Sequence, residues 1–332
     1  MENYTKAGEY FSRPSEIICG SVGQPTLIRR FSDTGVYFRS FTLDSGKGGE
    51  PVELLQITDM HFNLCDESDL ADPELALTAK CRKWNANGES AASAKKAMAL
   101  SGLFDRTIIT GDTLDYLSNG AIDMLEKYIW NEDPGAIVCL GGHELTKQMQ
   151  TGRPDETPLS ERLGRLESVW RHDIHYHSEV IRDKVLIVAL DNSQSKYLEG
   201  QADKLRADIE LARREGLVML IFEHEPISTG NPADSNVRSF LRCDPESCNF
   251  YSGNLIGSVN RREDQPTREV YDLITHNADV IRGIFCGHEH SAFYADIMAY
   301  AADGTPMNIP QPLLEGNVYN NQAGHVMRIT IL

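Results

Sequence analysis

Short apolar runs alternate with longer amphipathic stretches along most of this chain. The runs cover residues 52–57, 107–110, 136–140, 185–190, 217–222 and 280–286, and their length and content read as buried strands. Between them, residues 90–104, 121–130, 159–170, 197–215 and 267–276 read as helices. In the fourth, Leu198, Ala202, Leu205, Ile209 and Ala212 are spaced along one face. Strands alternating with helices predict an α/β fold built from βα units rather than an all-β protein.

Three stretches depart from this rhythm. A Ser/Gly/Lys turn at 45–49 separates a further strand, 36–43, from the first core run, so residues 1–50 read as an accessory hairpin or extension and 51–332 as the main domain. Residues 227–265 are rich in Asn, Ser, Gly, Asp and Pro and read as a long loop, a candidate substrate lid. Beyond residue 302, turn signals at Asp303-Gly304 and Asn320-Asn321 and a closing apolar run, 326–331, read as edge strands.

A chain of 332 residues with 41% hydrophobic content can fill the core of one large domain with insertions. Lys and Arg total 32 against 49 Asp and Glu, and the net charge of −17 disfavours wrapping a nucleic acid or an anionic membrane over a wide surface. A small phosphorylated substrate stays compatible, because bound metal inverts the local field of an acidic protein. Residues 1–14 lack the basic and apolar regions of a secretory leader, and no apolar run approaches the roughly 20 residues of a membrane helix, so a cytoplasmic protein is expected. Seven scattered cysteines do not outline a disulfide framework, and Cys139 and Cys286 lie inside apolar runs as small hydrophobes.

The candidate chemistry lies in five blocks: Asp59-Met60-His61, Gly111-Asp112, Gly141-Gly142-His143-Glu144, His224-Glu225-Pro226 and Gly287-His288-Glu289-His290. Each follows an apolar run, and a polar residue at a strand tip can point into the crevice where open α/β sheets bind ligands. In Asp59-x-His61 and His288-x-His290, side chains two residues apart on extended backbone would project to one side and reach one ion. The mixture of imidazole and carboxylate suits Mn, Fe, Zn or Ni better than Ca or Mg.

In order and residue type the blocks resemble the calcineurin-like metallophosphoesterases: D-x-H, then G-D-x-x-D as Gly111-Asp112-Thr113-Leu114-Asp115, then G-N-H-[ED], H-x-P and G-H-x-H, from about Glu53 to His290. The resemblance implies a four-layer αββα sandwich around two mixed β-sheets. It implies two divalent ions, with Asp59, His61 and His290 on the first, Asp112 bridging, and His224 and His288 on the second. It further implies hydrolysis of a phosphate mono- or diester, in which two ions roughly 3.5 to 4 Å apart polarise the phosphoryl group and a hydroxide bridging them attacks phosphorus. His143 would then stand by the departing oxygen as charge stabiliser or general acid. Asp115 and Glu144 would orient ligand histidines by accepting their second ring N–H.

Gly142 departs from that pattern, since the family's asparagine there gives a side-chain oxygen to the second metal. The second ion is then expected to rest on Asp112, His224, His288 and water, and to bind more weakly. The alternative function is a metal-binding pseudoenzyme or regulatory module. Asn192 is a candidate stand-in ligand, with turn residue as its simpler reading, and Asn63 a candidate phosphate contact. His172, His175 and His177 fit a polar strand face more simply than a further metal site. Cys243 and Cys248 lack the second pair of a zinc tetrahedron. Arg261-Arg262 could grip a substrate phosphate from the lid, or form a solvated turn with Glu263-Asp264.

Overall fold

The computed structural model describes residues 14–19, 25–31, 35–83, 89–230, 256, 264–290, 293–317 and 324–332. The strands expected over 52–57 and 185–190 form with those bounds, as β4 (Val52–Ile57) and β8 (Val185–Leu190), and every residue of both is buried. Continuous apolar runs behave this way when both faces of a strand are covered. β5 (Arg106–Thr110), β6 (Ile137–Cys139), β9 (Val218–Phe222) and β10 (Ile281–Phe285) lie within one residue of their expected runs.

With β1 (Pro14–Cys19), β2 (Pro25–Phe31), β3 (Val36–Leu43) and β13 (Gly324–Ile331), the first sheet has the order β1-β2-β3-β13-β4-β5-β6. β4, β5 and β6 are parallel, whereas β13 runs antiparallel to β4 and parallel to β3. The second sheet is β10-β9-β8-β7, where β7 (Tyr176–Ile181) is antiparallel to β8 and the others are parallel. Both sheets are mixed. A ribbon of β11 (Phe293–Tyr300) and β12 (Pro306–Leu313) attaches beside β10 through a Cys286–Leu313 bridge.

The helices are α1 (Glu67–Ala71), α2 (Pro73–Cys81), α3 (Glu89–Met98), α4 (Asn119–Leu125), α5 (Leu159–Val169), α6 (Gln201–Glu215) and α7 (Gln265–Thr275). Three buried clusters show how they are layered. One joins Phe38, Leu55, Ile57, Ile109 and Val138 of the first sheet to Ala94, Ala97, Ala121, Leu125 and Leu166 of α3, α4 and α5. A second lies between the sheets, with Phe41, Leu54 and Ile329 facing Ile187, Leu220 and Phe222. The third joins Val188, Met219 and Ile284 to Leu205 and Ile209 of α6 and Val270 and Ile274 of α7. The result is the expected four-layer αββα sandwich.

Several boundaries differ from expectation. α6 starts at Gln201 rather than 197, because the Tyr197 hydroxyl turns inward to Glu223 and the Leu198 amide donates to the Gln201 side chain. α7 starts two residues early, capped by Asp264 with Pro266 in its first turn. α1 and α2 were not expected, although Asp66-x-x-Asp69 forms a capping box and Asp72-Pro73 a second helix start.

Two expectations are corrected by the pairing. Residues 36–43 form a strand with the expected bounds, and β3 pairs antiparallel with β2 as a hairpin, but its other edge pairs with β13, which makes it an inner strand of the first sheet. The closing run is not an edge: β13 lies between β3 and β4, with all eight residues buried. Its polar Arg328 is accommodated because Nε and Nη2 donate to the Glu53 carboxylate on β4 at 2.5 and 2.6 Å. The expected lid falls mostly at 231–255 and 257–263, outside the described residues. No helix among the described residues is long and apolar enough to cross a membrane.

Candidate metal centre

Loops after β4, β5 and β6 of one sheet and after β9 and β10 of the other carry the five blocks to one place, at the carboxyl ends of the parallel strands. The first two loops are zipped together: Asp59 N donates to Gly111 O (3.1 Å), His61 N to Asp112 O (2.9 Å) and Phe62 N to Thr113 O (2.7 Å). Gly287 N donates to His224 O (3.1 Å) and ties the last two blocks together. The packing leaves no room for a side chain at Gly141 or Gly287, where a Cβ would collide with Asp112 and with Thr58 and Asp59.

The candidate ligands do not converge by strand alternation, as the spacing had suggested. Asp59, His61, Asp112, His288 and His290 all have positive φ, at 49°, 46°, 48°, 73° and 53°. They make up five of the nine non-glycine residues with positive φ among the described residues. Left-handed backbone is costly for such side chains and gathers where a site requires it.

Asp59, His61, Asp112 and His290 form one group whose ligand atoms lie within 4.8 Å of one another, and Asp112, His224 and His288 form another. Asp112 belongs to both. His61 Nδ1 donates to Asp115 Oδ1 (3.1 Å), so in the neutral ring Nε2 presents its lone pair, 3.0 Å from His290 Nε2. His224 Nδ1 donates to the Thr110 carbonyl (2.8 Å), and its Nε2 faces Asp112 Oδ2 at 3.1 Å and His288 Nδ1 at 3.2 Å. Asp59 Oδ1 accepts no well-aligned hydrogen bond and lies 3.0 Å from His290 Nε2. Lone pairs and carboxylates facing one another across such gaps require positive charge between them, so this donor set fits divalent cations.

Electrostatics agree. Burial works against charge on Asp59, but His290, His61 and His224 outweigh it and hold the carboxyl well below the usual range. Asp112 is lowered in the same way, against its burial, by His224, His143 and His61. His61 is pushed up to about 10, because Asp115, Asp59 and Asp112 overcome the burial that disfavours its imidazolium. His224 also rises, against its burial, mainly through Asp112.

His143 sits at the rim, with a fifth of its side chain exposed. Its Nδ1 donates to the Asp115 carbonyl (2.8 Å), and its Nε2 lies 3.8 Å from Asp112 Oδ2. Asp115 supports His61 as expected. Glu144 does not orient a histidine: it accepts from the amides of Thr113, Leu114 and Gly141, and binds the second and third blocks together. Burial and the charge of Asp112 push its carboxyl up to about 7.

Asn192 is no stand-in ligand, because its amide is consumed by the Glu225 backbone, donating to O (2.7 Å) and accepting from N (3.0 Å). Asn63 is buried and engaged within the fold, donating to the Arg82 carbonyl and to Asp115 while accepting from the Tyr116 hydroxyl. At Gly142, a Cβ would lie 3.3 Å from the Ser193 carbonyl oxygen. His172 accepts from Val138 N and His175 pairs with Asp191, and these histidines do not form a metal group among the described residues. Cys243, Cys248, Arg261 and Arg262 lie outside the described residues. Sequence reasoning missed Arg82, whose guanidinium grips Asp115, because the helix that presents it went unrecognised.

No family model matches the chain, and no curated protein does. Among solved structures it is similar to a dimetal phosphatase from Danio rerio, at 13% identity over 84% of this chain and 92% of that one, with a TM-score of 0.48. It is also similar to a purple acid phosphatase from yellow lupin seeds (11% identity, 93% and 59% covered, TM-score 0.45) and to a phosphopantetheinyl hydrolase from Mycobacterium tuberculosis (12%, 81% and 92%, TM-score 0.39). The four layers and the two mixed sheets are consistent with the calcineurin-like phosphoesterase fold.

Proposed function

We propose that this chain is a metal-dependent phosphoesterase acting on a small phosphate mono- or diester. The observation that carries the reading is that two groups of buried carboxylates and buried or half-buried imidazoles converge and share Asp112. In this reading Asp59, His61, Asp112 and His290 hold the first divalent ion, and Asp112, His224 and His288 the second. Bound there, such ions act as Lewis acids on phosphoryl oxygens and lower the pKa of water to near neutrality.

The chain's own residues supply the rest. Asp115 and the Thr110 carbonyl keep the Nδ1 protons of His61 and His224 outward and their Nε2 lone pairs inward. His143, held at Nδ1 by the Asp115 carbonyl, offers Nε2 to an oxygen that gains charge or needs a proton as it leaves.

The test is hydrolysis of p-nitrophenyl phosphate and bis-p-nitrophenyl phosphate by chelated protein reloaded with Mn, Fe, Zn or Ni. Turnover should depend on metal and vanish in Asp112→Asn and His61→Ala. Metal bound without turnover on a broad panel of phosphoesters would instead establish the regulatory module that Gly142, with no side chain to offer the second ion, favours.

A further inference from the structure

We propose that Arg82 is a positioning residue for the first ion, fixing His61 through Asp115; this rests on the metal reading above. Arg82 caps the C-terminus of α2, where its amide donates to Thr78 O (2.8 Å), and its side chain is almost fully buried. Nε donates to Asp115 Oδ2 at 2.8 Å, and a second guanidinium nitrogen donates to Oδ1, the atom that also accepts from His61 Nδ1. A planar fork matching both carboxylate oxygens sets the plane of the carboxylate, and that plane sets the direction of the His61 ring.

There is a competing arrangement for Arg82 to prevent. His143 Nδ1 lies 3.4 Å from the same Oδ1 while donating to the Asp115 main-chain carbonyl. A carboxylate free to rotate could exchange its bond to His61 for one to His143, and the inward lone pair of His61 would lose its aim. The backbone that carries Arg82 is itself braced. Asn63 Nδ2 donates to the Arg82 carbonyl (3.3 Å), and Thr78 Oγ1 anchors α2 to Lys147 O (2.6 Å), four residues beyond His143. Asp115 also groups with His61 and His143 as a possible donor set, but its engagement by Arg82 makes it an outer support rather than a ligand.

The experiment titrates chelated wild type, Arg82→Ala, Arg82→Lys and His61→Ala with Mn2+ by calorimetry at one pH, with the visible spectrum of the Co2+ forms as a second readout. The step lost in His61→Ala identifies the first site. Arg82→Ala should weaken that step about 10- to 100-fold, as loss of an outer-shell partner does, and leave the other step and its Co2+ bands unchanged. Arg82→Lys, which keeps charge without the fork, should fall between, and it carries the comparison if Arg82→Ala does not fold. An unchanged first step in the variant compared, or equal weakening of both steps, would overturn the role of Arg82. Absence of Mn2+ binding by the wild type would overturn the metal reading itself, whereas wild-type binding lost in His61→Ala but untouched in the Arg82 variants would overturn only this inference.

Discussion

The role of each residue in the centre depends on which atom its neighbours leave available. His143 keeps Nε2 available because Nδ1 is tied to the Asp115 carbonyl. Replacing it by alanine should lower kcat by about 10²- to 10⁴-fold on alkyl phosphates, less on p-nitrophenyl esters whose leaving oxygen needs no proton, with Mn2+ stoichiometry unchanged. A series of leaving groups with metal analysis checks this, and equal losses across the series would refute the acid role. Gly142→Asn should raise occupancy of the second ion while slightly lowering the melting temperature of the metal-free protein, since its Cβ meets the Ser193 carbonyl at 3.3 Å. Metal analysis after gel filtration measures the first effect, and no gain would remove Gly142 as the cause of a weak site. Residue types and spacing made the histidines and aspartates of the centre legible. Glu144 does not orient a histidine and Asn63 and Asn192 serve the fold rather than the site, because amides and carboxylates near a site serve backbone groups as readily as ligands, and only geometry separates the two.

Among the elements, β13 decides most. It joins β3 to β4, and the Arg328–Glu53 pair is its buried polar link to β4. Arg328→Ala leaves the Glu53 carboxylate uncompensated and should cost about 3 to 5 kcal/mol, measured by urea unfolding of metal-free protein. A loss below about 1 kcal/mol, the range of an exposed pair, would show that water reaches Glu53. The apolar runs of the parallel strands were legible within one residue because both faces of each are covered. β13 was misplaced because its alternating Arg328 and Thr330 imply a wet face, whereas Glu53, distant in sequence, dries it. α1 and α2 carry capping signals, but α1 spans only five residues and α2 has only a weak amphipathic pattern, so periodicity passed over them.

For the whole molecule, α2 is bound to the segment after His143 by a polar cluster that titrates. Glu74 accepts from Gln148, the Glu156 amide and Thr157, and it lies 2.9 Å from Lys147 Nζ. Burial opposes its charge, but the Glu156 amide, Lys147 and Thr157 outweigh it and hold the carboxyl at about 2, against 4.5 in a free chain. A depressed folded value means stability fully present above about 4.5 and lost as pH falls towards about 2. The stability gap between wild type and Glu74→Gln, measured on chelated protein, should therefore be wide at neutral pH and close over that window, and a gap independent of pH would contradict the assignment. Removing metal should lower the melting temperature of the wild type more than that of His224→Ala, because an ion that binds only the folded state stabilises it by mass action. The sequence by itself determined the alternation of strands and helices, the burial of the parallel strands and the residue types available to hold metal, because these follow from local periodicity and side-chain chemistry. Only the tertiary structure decided that β13 is central, that five residues of the candidate centre stand on left-handed backbone, and that Arg82 reaches Asp115 from α2. Pairing between distant segments, and strain that only surrounding packing can sustain, leave no local mark on a chain.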